Sequence, residues 1–96
     1  MPVKTQERLK LLTEKLKKGS LSGEDMAREL NELLHVFGSV EGVGNYREKI
    51  NGAIEWADIY FSPQKSDRHG GREIVRASLL QDLGTAAEIA GQLQNV

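Results

Sequence analysis

GREIVRASLLQDLGTAAEIAGQL, residues 71–93, is the stretch that decides the fold class. Ile74, Ala77, Leu80, Leu83, Ala87 and Ala90 recur at three- and four-residue intervals, which places them on one face of an α-helix. Val75, Leu79, Ala86, Ile89 and Leu93 broaden that face. So wide an apolar arc predicts a helix central to a bundle, or one that buries a second face in an oligomer. Ala77, Gly84 and Gly91 recur every seven residues, and small residues on one face let helix axes come close. Gly84 leaves two readings open. One helix runs through it, straight or bent, or it ends at Leu83-Gly84 and another starts with Thr85 as cap and Glu88 in the capping-box position. The continuous helix is the favoured reading.

Three more helices are expected upstream. The first spans about Lys4 to Lys17, with Leu9, Leu12 and Leu16 on one face and Leu11 off it. Lys15, Lys17 and Lys18 suit the negative C-terminal end of its dipole, and Gly19 is a natural stop. In the second, Ser22 caps, Asp25 takes the capping-box position, and Leu21 with Met26 can form a hydrophobic staple. Met26, Leu30, Leu33, Leu34 and Phe37 make its stripe, and Gly38 ends it. The short connection from Gly19 to Ser22 predicts an antiparallel hairpin. GSVEGVG, residues 38–44, reads as a flexible turn. Asn45 is then expected to cap a third helix, with Glu48 in box position and Tyr46, Ile50, Ala53, Ala57 and Tyr60 or Phe61 on one face. Gly52 inside it costs about 1 kcal/mol against alanine, and admits a close neighbour or a kink. No alternating run signals a strand. The expected fold is all-α: a compact antiparallel bundle of four helices, or five if the last is split at Gly84, forming a single domain over 1–96.

Ninety-six residues are too few for two cores, and an apolar fraction of 39% with 28% charged residues suits a folded domain. Zero cysteines exclude disulfides and thiolate metal sites, and His35 and His69 alone make no histidine-rich site. No apolar run reaches signal-peptide length or the ~20 residues of a membrane span, so a cytoplasmic protein with no membrane partner is expected. The net charge of −1 argues against a general nucleic-acid binder, but its distribution is uneven. Residues 1–18 carry +4, residues 19–61 carry −5, residues 62–76 carry +2 and the remainder −2. Such poles favour packing of one copy's basic end on another's acidic middle.

WADIYFSPQKSDRHGGREIVR, residues 56–76, departs from the plain bundle pattern. Trp56, Tyr60 and Phe61 cluster at a helix end, Ser62-Pro63 breaks the helix, and a basic, glycine-bearing loop is expected from Lys65 to Gly71. Phe61 is expected in the core and Trp56 partly exposed, with Trp56 and Tyr60 as candidate interface aromatics. Gly70 and Gly71 precede the positive end of the last helix, where Lys65, Arg68, His69, Arg72 and Arg76 complete a candidate anion- or partner-binding site. The competing reading pairs Arg72 and Arg76 with Glu73, Asp67 or the acidic middle of the chain, leaving the glycines only to turn the backbone.

No catalytic residues are expected. The six serines lack a nucleophile-elbow setting, and adjacent Asp67, Arg68 and His69 do not define a catalytic geometry. Glu32-x-x-His35 matches one half of a di-iron motif, whereas such a site needs two copies and two further glutamates, so no metal and no cofactor are expected. A helix-turn-helix over 4–37 would present the acidic EDMARELNELL to phosphates. In size and helix count the chain is similar to small helical adaptor domains, death-fold-type modules among them, although fold alone does not fix function. The expected role is a non-enzymatic protein–protein interaction module, homo-oligomerising or adaptor, with a protein as partner, a second copy of the chain among the candidates. Two alternatives remain: a nucleic-acid-associated protein using the first helix and the Lys65–Arg76 loop, and a helical enzyme subunit or ligand carrier with a polar cavity around Glu32 and His35.

Overall fold

A computed structural model describes residues 4–94 of the chain. Five helices form: α1 (Thr5–Lys18), α2 (Gly23–Leu34), α3 (Val43–Tyr60), α4 (Pro63–Arg68) and α5 (Arg72–Gln94). No strand occurs among the described residues. The all-α class stands, but the fifth helix does not arise at Gly84. α5 runs through Gly84 unbroken, and the additional helix is α4, inside the segment expected to be a loop. Its cause is local. Ser62 Oγ accepts the Lys65 N–H and Pro63 occupies the first helical turn, where a missing N–H costs nothing. The Ser-Pro pair that ends α3 therefore starts α4.

α1 stops as expected, with Gly19 in the left-handed region at φ 71° and its N–H on the Leu16 carbonyl. Ser22 caps α2 by accepting the Asp25 N–H at 3.1 Å, while the Asp25 carboxylate pairs with Arg28 at 2.6 Å. Two boundaries differ from expectation. α2 ends at Leu34, and Phe37 packs from the following turn, its ring edge-on to Tyr46 with centroids 4.9 Å apart. α3 starts at Val43 rather than behind an Asn45 cap, with Gly42 at φ 86° and no side-chain cap. Val43 is buried and Asn45 exposed, so burial of an apolar first residue fixes this start in place of capping.

The register of α5 is also corrected. Ile74 and Ala77, expected on the core stripe, face solvent, and Leu80 is half-buried. Val75, Leu79, Leu83, Ala86, Ala87 and Ala90 are the residues that enter the core. The packing of the long helices can be read from residue pairs. On α5 against α3, Leu93 meets Gly42, Asp82 meets Gly52 and Arg72 meets Tyr60. On α5 against α1, Gly91 meets Gln6 and Arg76 meets Lys17. On α2 against α3, Gly23 meets Phe61 and the Leu33 carbonyl meets Tyr46. Each set runs antiparallel. α1 and α2 pack less than these pairs, and the Arg8 side chain spans them, bonding Glu32 at 3.0 Å and Glu29 at 3.3 Å.

Leu9, Leu12 and Leu16 of α1, Met26, Leu30 and Leu33 of α2, Tyr46, Ile50 and Ala53 of α3, and Leu79, Leu83, Ala86, Ala87 and Ala90 of α5 share one core. Each fully buried leucine there contributes about 1.5–3 kcal/mol relative to exposure. Tyr46, in the first turn of α3, has no exposed surface. Its hydroxyl donates to the Leu33 carbonyl at 2.6 Å, satisfying one of the acceptors that the end of α2 leaves open. No helix among the described residues is long and apolar enough to cross a membrane.

Candidate functional site

The end of α3, all of α4 and the start of α5 fold into one corner, and Ser66 holds it together. Ser66 is buried, and its hydroxyl donates to the Ile59 carbonyl at 2.6 Å in the last turn of α3. The Ser66 carbonyl accepts the N–H groups of His69 at 3.0 Å and Gly71 at 2.9 Å. The second of these is the wrap-around bond of a glycine helix stop, and it requires left-handed backbone beyond the cap. Gly70 and Gly71 supply that at φ 93° and 105°. The Gly71 carbonyl then receives the first bond of α5, from the Val75 N–H at 3.2 Å.

The candidate residues divide once they are placed. Lys65 is ion-paired to Asp58 at 2.6 Å, and Arg76 donates to the Lys17 carbonyl at 3.4 Å, at the end of α1. The His69 ring meets the Trp56 ring edge-on, 5.9 Å between centroids, and its Nδ1 lies 3.0 Å from the Lys65 carbonyl oxygen. That carbonyl can only accept, so Nδ1 carries the hydrogen. Arg72 lies over the Tyr60 ring, 4.4 Å from its centroid, a cation–π contact worth about 0.5–1 kcal/mol at an exposed position. Arg68 is exposed, and neither it nor Arg72 makes an ion pair with a described residue. The expected alternative pairing of Arg72 and Arg76 with Glu73, Asp67 or the acidic middle does not form.

The aromatics are half-buried. Trp56 and Tyr60 lean on the core from its edge. Phe61, expected inside the core, is also half-buried, stacked edge-on against Tyr60 at 5.0 Å and pressed on the first turn of α2 at Gly23. It borders an open groove of about 550 Å³ between α2 and α3. Ala27, Ile54, Ala57 and Phe61 line the groove, with Glu55 and Asp58 beside them. Comparison with known family models, curated proteins and solved structures returned no match to this chain.

Two features of the corner had little trace in the sequence. Ser66 sits in a stretch with no apolar period, and its role depends on α3 carbonyls seven residues away. Ile74 looked like a core residue, yet it is 58% exposed and leans over Gly70. Elsewhere, Glu32 and His35 are both exposed and Glu32 is held by Arg8, so they enclose no cavity. Among the described residues, no group of three His, Cys, Asp or Glu side chains could hold a metal ion.

Proposed function

We propose that this chain is a non-catalytic protein–protein interaction module of the cytoplasm, and that it contacts its partner through the α4–α5 corner. The observation that carries this reading is the state of Arg68 and Arg72. They stand exposed with no ion pair to a carboxylate among the described residues, while Lys65 and Arg76 beside them are engaged. The Tyr60 ring holds Arg72 in place, which lowers the ordering cost when a carboxylate docks. Exposed Ile74 and half-buried Trp56 add the apolar and aromatic surface from which interface anchors are drawn. Reversing both charges, Arg68→Glu with Arg72→Glu, should abolish capture of a protein partner while shifting the melting temperature by only a few degrees. Partners retained equally by the wild type and the double variant would refute the corner as the contact.

A second reading has one specific observation in its favour. Arg76 reaches Lys17, which joins the basic end of α1, with Lys15, Lys17 and Lys18, to the basic corner. A continuous cationic surface of that kind suits a phosphate backbone. Binding to mixed-sequence RNA or DNA that falls steeply with added salt would favour it over the protein partner.

A further inference from the structure

We infer that a partner of the corner is a second copy of this chain, docked about a two-fold axis so that each corner covers the α2–α3 groove of the other copy. The inference rests on the interaction reading above and names the partner for the same site. Two adjoining surfaces of the chain are complementary. The corner presents one exposed large apolar side chain, Ile74 over Gly70, and two exposed cations, Arg68 at the end of α4 and Arg72 at the start of α5. The groove is the converse, with Ala27, Ile54 and Phe61 along it and carboxylates beside them. Asp58 is partly neutralised by Lys65, but Glu55 is exposed and makes no ion pair with a described residue.

Position decides between a closed dimer and an open chain of copies. Only the α3–α4 elbow separates the two surfaces. Asp58 of the groove bonds Lys65 of α4, and Phe61 of the groove stacks on Tyr60, which carries Arg72. A two-fold axis beside the elbow therefore makes both contacts at once, with the same residues on each copy, as isologous interfaces require. The cation–carboxylate contacts of this dimer are exposed at the rim, so it is reversible and salt-sensitive.

Charge exchange tests it. Glu55→Arg and Arg68→Glu alter exposed side chains with no ion-pair partner among the described residues, so each variant should melt with the wild type. In the proposed dimer each change alone sets like charges opposite one another twice. Sedimentation velocity across a concentration series should show the dimer dissociation constant rise at least about ten-fold for each variant. An equal mixture of the two variants, or one chain carrying both changes, should regain the dimer, because every contact again joins opposite charges. A wild-type chain that stays monomeric at all concentrations overturns the inference, and so does a dimer indifferent to both changes. The interaction reading fails separately. A monomer that still captures another protein, and loses it with Arg68→Glu and Arg72→Glu, keeps that reading and removes only the second copy as partner.

Discussion

Tyr46 concentrates the physics of this fold in one side chain. Burial pushes its hydroxyl up from 10 to about 12, with the nearby Arg8 guanidinium pulling the other way. The folded chain thus holds this proton where the unfolded chain releases it. The contribution is complete below pH 10 and is lost as pH rises through about 12. Stability should fall across that window by about 1.4 kcal/mol per pH unit, or about 3 kcal/mol in all. Tyr46→Phe should cost about 1–2 kcal/mol at neutral pH, because it strips the Leu33 carbonyl of its donor, and should flatten that part of the alkaline slope. Urea titrations at stepped pH measure both. Ser66→Ala should likewise cost about 1 kcal/mol and loosen the corner without touching the main core. The apolar spacing of the third helix already marked Tyr46 as a core residue. The destination of its hydroxyl was hidden, because the acceptor belongs to another helix and is exposed only by the way that helix ends.

Among the elements, α5 has the most to say about what a pattern can and cannot reveal. Its length and helicity follow from its period, but its phase does not. Almost any rotation of so wide an apolar arc places leucines and alanines inward, so the choice falls to the neighbours α1 and α3. Ile74 loses its place inside because the first turn emerges from the glycine stop and leans over Gly70. α4 was missed for the opposite reason. Six residues are too few for a period, and only the Ser-Pro start announces them. Gly84 offers the cleanest test on α5. It is exposed in the helix interior, its φ is not positive, and a β-carbon there would meet nothing within 4 Å. Gly84→Ala should therefore stabilise the chain by about 0.5–1 kcal/mol in thermal or urea unfolding. Gly71→Ala should do the reverse by at least about 1 kcal/mol, since its left-handed backbone at φ 105° resists any side chain.

Across the whole molecule, α3 and α5 pack on each other more extensively than any other pair, and α4 has the least packing. Amide hydrogen exchange should be slowest along the middles of α3 and α5 and fastest, among the helices, in α4. A helix α1 or α2 that outlasts α5 would show that the stability centre lies elsewhere. The short first connection predicts an antiparallel hairpin of α1 and α2, but α1 packs mainly on α5 and α2 on α3, and the meeting of Lys17 with Arg76 could not be foreseen from positions 59 residues apart. The antiparallel run of α1 along α5 carries one more consequence. Gln6 touches Gly91, so the first and last helices begin and finish together at one pole, with the arginine corner at the other. A helix of 23 residues separates the poles by about 35 Å. A short peptide bridge from α5 to α1, with new termini opened in the exposed turn at Gly19-Ser20, should give a circular permutant that keeps this core. A fluorescent label attached beside Lys4 would stand clear of the corner, so binding there could be followed without obstructing it.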